Sequence, residues 1–150
     1  MKLLTTSLRE KLLANGRANR DADGLPREHG YIDHKPVVKL FTPDGAATWL
    51  LTEIDPDDPD RAFGLCDLGF GCPELGYVSL SELESIDGPL GLGIERDILF
   101  EAQAPLSVYT EAARRAGSIT EREIEALAAA ASLGKTLFPD PDLPAPDGGG

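Results

Sequence analysis

Pro73-Glu-Leu-Gly-Tyr-Val-Ser-Leu-Ser-Glu-Leu-Glu-Ser-Ile86 decides how this chain is read, because a short strand gives way to a helix inside it. Residues 75–79 are β-rich and follow a proline. Ser79 and Glu82, three residues apart, form a capping box, and Leu80, Leu83 and Ile86 then recur at helical spacing and are expected to face inward. Around this stretch, residues 37–41, 48–54, 62–68 and 94–100 are short and apolar, with turn chemistry between them, as a small sheet requires.

The clearest turn lies N-terminal to it. Residues 37–41 and 46–54 flank Thr42-Pro-Asp-Gly45, where proline at the second position and glycine after aspartate suit a type I turn with a glycine bulge. On the second strand Ala47, Trp49 and Leu51 share one face, and Thr48, Leu50 and Thr52 the other. Trp49 is expected to anchor the core, an exposed binding indole being the alternative. Residues 62–68 make a third strand, and Gly69-Phe-Gly-Cys-Pro73 turns the chain into a fourth. In a fifth strand over residues 94–100, alternation puts Ile94, Arg96, Ile98 and Phe100 on one face. Arg96 must there reach a carboxylate or water.

Helices flank these strands. Ser7 and Glu10 offer a capping box for residues 6–15, whose Leu8 and Leu12 are expected to face the sheet and whose stop is Asn15-Gly16. A long loop without apolar periodicity then runs to Pro36. Residues 106–116 and 120–133 read as a helical pair, the second capped by Thr120 and Glu123. The expected fold is α+β: a mainly antiparallel sheet of about five strands, flanked by an N-terminal helix, a short helix after Ser79 and a C-terminal helical pair. Residues 1–104 are assigned to the α+β domain and residues 105–138 to a helical extension that either packs on the core or meets another subunit. Residues 139–150, rich in Pro, Asp and Gly, are assigned to a disordered tail.

With 150 residues, 41% of them hydrophobic, the chain suits one domain. No apolar run approaches the roughly 20 residues of a membrane-spanning helix. The first ten residues turn polar before a signal-type apolar region forms, so a cytoplasmic location is expected. Cys66 and Cys72 match neither a Cys-x-x-Cys site nor a disulfide framework and read as reduced thiols. The net charge of -12 is uneven: residues 1–40 carry 8 basic and 5 acidic groups, residues 41–150 carry 6 and 21. Phosphate backbones repel so acidic a body, and a protein partner with a basic surface suits it better.

Residues that would carry catalysis are sparse. His29 and His34 do not share a helical face, so no metal is expected, and no nucleophile stands at a recognisable elbow. Glu82 and Glu84, at i, i+2 on a helix, do not face each other. The glycine-rich Asp87-Gly-Pro-Leu-Gly-Leu-Gly93 follows a helix and precedes a strand, the reverse of a phosphate loop. No catalytic residue and no cofactor is assigned. Two candidate surfaces remain. One is an exposed acidic loop over residues 53–60, where two prolines are expected to prevent regular structure and Asp55, Asp57, Asp58 and Asp60 would meet a partner. The other is a convergence of Glu74, Tyr77 and Arg96, either as a structural salt bridge or as a ligand pocket.

Met-Lys-Leu-Leu-Thr at the start, Val-Lys-Leu-Phe-Thr-Pro-Asp-Gly in the hairpin, and Glu-Leu-Gly-Tyr-Val-Ser-Leu-Ser-Glu-Leu-Glu-Ser-Ile with Gly-Pro-Leu-Gly-Leu-Gly-Ile-Glu-Arg-Asp resemble the bacterial domain of unknown function 2958 over about residues 1–104. The resemblance implies a setting on plasmids and integrative elements, often near antirestriction and transfer-associated genes, and it brings no catalytic or ligand residues. The leading expectation is therefore a non-enzymatic accessory protein of a mobile element that binds another protein through its acidic surface. The alternative is a nucleic-acid-associated module using Arg9, Lys11, Arg17, Arg20, Arg27, Lys35 and Lys39. A small hydrolase is the third reading and needs a pocket where titratable groups converge. Oligomeric state is left open.

Overall fold

The computed structural model describes residues 3–132. Helix α1 (Thr6–Ala18) leads into a long loop, then strands β1 (Val38–Phe41), β2 (Thr48–Asp55), β3 (Asp58–Asp67) and β4 (Glu74–Ser79), helix α2 (Leu80–Ser85), strand β5 (Glu95–Arg96), and helices α3 (Leu106–Ala116) and α4 (Ile124–Ser132). The strands form one sheet in the order β4-β3-β2-β1-β5, each neighbouring pair antiparallel. This is the α+β architecture that the sequence leads one to expect.

Strand alternation divides the core between the two sheet faces. On the first face Val38, Leu40, Trp49, Leu51, Ile54 and Ala62 pack with Leu12 of α1 and with Leu80 and Leu83 of α2. Trp49 is buried there as expected. On the second face Leu50 and Leu65 pack with Leu106, Val108, Tyr109, Ala112 and Ala113 of α3 and Ile124 of α4. The helical pair thus roofs the second face. It is also tied down at its ends: the Leu106 amide donates to the His34 carbonyl, the Ile119 amide to buried Asp67, and Lys39 pairs with Glu121.

Several local expectations need correction. Thr5, not Ser7, caps α1, accepting from the Leu8 amide, and Asn15-Gly16 does not stop the helix. Both residues bind the sheet instead: Asn15 Nδ2 donates to the Thr52 carbonyl, and a Cβ on Gly16 would lie 1.9 Å from the Ile54 carbonyl oxygen. Gly45 lacks the positive φ of a glycine bulge. The Thr42 hydroxyl closes that turn, accepting from the Ala47 amide, and Gly45 leaves room for it. Two prolines do not keep residues 53–60 irregular, because β2 and β3 join through a tight turn at Pro56-Asp57 and Asp55 pairs with Asp58. Pro59 falls where β2 supplies no partner, between Asp58 and Ala62, so its missing N–H costs no ladder bond.

The fifth strand is only two residues long, and Ile98 and Leu99 are exposed, because the chain leaves the sheet at Asp97. Ile86, expected inside, is the exposed C-cap of α2. Helix α4 begins at Ile124, four residues later than expected, since Glu123 has a left-handed backbone (φ 63°). The expected tail at residues 139–150 lies outside the described residues, as does Leu133, the expected last residue of the second C-terminal helix.

Candidate functional site

The β2–β3 hairpin is held from both sides. Asp55 accepts from Arg20 Nη2 at 2.7 Å, and Arg20 Nη1 reaches Asp57 at 3.2 Å. Across the hairpin, Asp60 accepts from the Ser79 hydroxyl at 2.5 Å, from the Ser81 amide at 2.8 Å and from the Ser81 hydroxyl at 3.0 Å. The Ser79 hydroxyl also caps α2 by accepting from the Glu82 amide. The Ser79 bond, followed by the Ser81 amide, holds the Asp60 carboxyl below the usual aspartate range. Asp55 and Asp60 are thus structural fasteners. Asp57, with 78% of its side chain exposed, and exposed Asp58 are the outward carboxylates of the tip.

Beside the hairpin lies a buried polar network that composition does not reveal. Between Leu51 and Glu53 the β2–β3 register shifts, leaving Thr52 without a partner. This bulge turns Glu53 onto the second face, where it is buried opposite Phe63. Its carboxylate accepts from the Tyr31 hydroxyl and from Asn19 Nδ2. Asn19 in turn exchanges bonds with both backbone groups of Ile32. The long loop is thereby pinned to the sheet. Burial, reinforced by the neighbouring Glu53 carboxylate, raises Tyr31 far above the ordinary tyrosine range. The cavity at this network holds only about 50 Å³ and is bordered by Arg20, Pro56 and Tyr77.

A larger, more apolar hollow of about 320 Å³ opens further along the second face. Phe63, Leu75, Leu106 and Thr110 line it, with Tyr31, Asp33, Ser107 and Arg114 at its rim. Its outer wall is β4, the edge strand, from which Leu75 and Tyr77 project with 44% and 54% exposure. Arg61 stacks 3.9 Å over the Tyr77 ring, and Phe63 tilts against it at 5.1 Å.

The expected convergence of Glu74, Tyr77 and Arg96 does not form. Glu74 and Tyr77 leave β4 on opposite faces, and Arg96 sits on β5, at the other edge of the sheet. Arg96 donates to the Leu3 carbonyl rather than to a carboxylate, tying the chain start to that edge. The glycine-rich 87–93 segment does bind an anion, but an internal one: the amides of Leu90 and Leu92 donate to Asp44. The N-terminal cations do not line one edge as free groups. Arg20 is engaged at the hairpin, Arg27 donates to the Ala18 carbonyl, and Lys39 pairs with Glu121. Lys11 and Lys35 share a cavity of about 440 Å³ with His34. Among the described residues no cluster of three or more His, Cys, Asp or Glu is placed to hold a metal ion. Burial pushes the Cys66 thiol up to about 11, while Cys72 is exposed.

The sequence pattern of the family described as "Protein of unknown function (DUF2958)" matches residues 3–120. The chain belongs to the DUF2958 family. The shared DUF2958 region reaches past Ala104 and takes in α3, so that half of the roof over the second face lies within it, whereas α4 begins after it. No curated protein and no solved structure matches the chain. No helix among the described residues is long and apolar enough to cross a membrane.

Among residues that bear on these surfaces, Tyr31, Asn19 and Glu53 are not singled out by sequence reasoning. The one available signal was Tyr31, beside Ile32, in a mostly polar loop, and nothing in the sequence marks the bulge that turns Glu53 toward it.

Proposed function

We propose that this DUF2958 protein is a non-enzymatic accessory protein of a bacterial mobile genetic element, acting in the cytoplasm by binding another protein whose surface is basic. The observation that carries this reading is the braced β2–β3 hairpin. Arg20 grips one strand end and Ser79 and Ser81 the other, so Asp57 and Asp58 are presented at a fixed position with little ordering left to do on binding. The mobile-element setting comes from the family resemblance. Association of this kind is steered by charge and weakens with salt.

The test is affinity capture from the native host with the wild-type chain and with Asp57→Asn/Asp58→Asn, eluted by increasing salt. The reading requires a defined protein retained by the wild type, released by salt and lost by the double variant. Retention unchanged in the double variant overturns it.

A second reading, nucleic-acid association, is favoured by one feature: Lys11, Lys35 and His34 border one cavity, and His34 Nε2 is buried there without a hydrogen-bond partner among the described residues. Fluorescence anisotropy with single- and double-stranded DNA at low salt decides it, since a flat titration removes this reading.

A further inference from the structure

The two edges of the sheet are treated differently. Edge β5 is blunted to two residues, a usual defence against stray pairing. Edge β4 runs for six, as Glu-Leu-Gly-Tyr-Val-Ser, with no proline, no lysine and no bulge. Among the described residues its outer backbone edge is unpaired, and two of the side chains it sends to the second face, Leu75 and Tyr77, are large, apolar and half exposed.

We propose that β4 pairs with β4 of a second copy of this chain, antiparallel about a two-fold axis at Gly76, giving a continuous ten-stranded sheet. The register follows from symmetry. A two-fold axis perpendicular to the sheet keeps the same face uppermost in both copies, so directly opposed residues must have the same parity. Centring on Gly76 opposes Leu75 to the partner's Tyr77 and the reverse, two aliphatic–aromatic pairs on one face. Gly76 then faces its own copy, and open space surrounds the position a Cβ would take there. Centring on Tyr77 instead opposes Leu75 to Ser79, whose hydroxyl is already committed to Asp60 and to the α2 cap.

The hollow decides between the registers. Leu75, Phe63 and Leu106 border about 320 Å³ of largely apolar space, and the residue delivered opposite Leu75 is the partner's Tyr77. Each copy thus supplies one aromatic anchor and one receptacle, the arrangement in which a small interface concentrates its binding energy. Strand pairing sets orientation, and the two anchors add specificity. The pairing is centred on Gly76, which lies opposite Gly64 and not at the Asp57–Asp58 tip, and its salt response is opposite. Two molecules each carrying a net charge of -12 repel, so screening tightens the dimer whereas it weakens capture of a basic partner.

Sedimentation velocity and light scattering on the full chain across a concentration range should show a species of twice 16.0 kDa, favoured by added salt. Tyr77→Ala should weaken dimerisation by about thirtyfold or more, and Leu75→Lys should abolish it, with circular dichroism checking that both stay folded. Phe70→Ala, exposed in the β3–β4 connection, should leave it unchanged. Gly76→Cys, in a Cys72→Ser background, should form a disulfide-linked dimer on mild oxidation, because the two introduced thiols face each other at the axis. A monomer at every concentration overturns the proposal. So does a dimer that Gly76→Cys fails to cross-link, since its contact would lie elsewhere.

Discussion

Gly16→Ala sets helix propensity and tertiary packing against each other with opposite signs. On propensity alone, alanine in place of glycine inside α1 should stabilise the protein by about 1 kcal/mol. The structure requires the reverse. The new Cβ would sit 1.9 Å from the Ile54 carbonyl oxygen and 3.1 Å from its carbon, where contacts under 3.0 Å essentially never occur. The obstacle is backbone in the middle of the sheet, so no rotamer change relieves it. Helix α1 must lift by about 1 Å or more, loosening buried Leu12 and stretching the 2.9 Å bond from Asn15 Nδ2 to the Thr52 carbonyl.

Overpacking of this kind costs about 1–3 kcal/mol, and here the upper end applies. The weakened hydrogen bond adds about 1 kcal/mol. Less the propensity gain, the net loss is about 2–3 kcal/mol. At about 2–4 °C per kcal/mol for a chain of this length, Tm falls by roughly 5–10 °C in calorimetry or thermal circular dichroism. The control is Ala14→Gly at an exposed position two residues away, which propensity alone should make about 1 kcal/mol less stable. Both substitutions should therefore destabilise, although they are opposite in chemistry. A Gly16→Ala protein that melts at or above the wild type refutes the close approach of α1 to β2.

Three further outcomes follow from the polar groups. Alkylation near pH 8 should modify exposed Cys72 quickly and Cys66 slowly, since burial holds the Cys66 thiol near 11; equal rates would contradict its placement. Tyr31 should stay protonated beyond the ordinary tyrosine range in an ultraviolet pH titration. Its folded-state value is raised, so its contribution is present below pH about 10 and is lost as pH rises further. Glu53→Gln should bring its ionisation closer to normal and release the loop around Ile32 to faster amide exchange. Asp60 has the opposite sign: its carboxyl is held low, so the stabilisation it provides is present above pH about 4 and disappears on acidification through its depressed value. The Tm difference between wild type and Asp60→Ala should accordingly be seen at neutral pH and close in acid.

The sequence made the sheet legible because its signals there are local. Alternation placed Trp49 and Leu51 on one face and Leu50 on the other, and the Ser79–Glu82 spacing located α2 through a cap that the structure contains. Helix α3 spans the expected residues 106–116 and ends in the structure at Gly117, whose backbone is left-handed. What stayed hidden depends on contacts distant in the chain. The bulge at Thr52 has no local signature, so Glu53 counted only as one more acid in a loop. Alternation carried the fifth strand on to Phe100, but pairing with β1 covers only Glu95 and Arg96, and Ile98 and Leu99 point into solvent. The proposed convergence of Glu74, Tyr77 and Arg96 failed because strand order, which puts β4 and β5 at opposite edges, cannot be read from side-chain periodicity.

The aspartates make the same point about charge. Composition counts them as a solvated negative surface, yet many of them join segments far apart in sequence, five of them through hydrogen bonds. Asp33 accepts from Ser107, Asp44 from Leu90 and Leu92, Asp55 from Arg20, Asp60 from Ser79 and Ser81, and Asp67 from Ile119. Each replaces water around a carboxylate with fixed donors, so it is not free to greet a partner. Net charge therefore overstates the acidity on offer. Removing one of these five tests the fold and the surface together, so lost binding in Asp55→Asn or Asp60→Asn has two causes. Asp57 and Asp58 are the informative positions: Asp57 meets Arg20 Nη1 at 3.2 Å, but an ion pair that leaves 78% of its side chain exposed contributes little to stability, and loss of binding in Asp58→Asn, which breaks no ion pair among the described residues, reports on the partner surface itself.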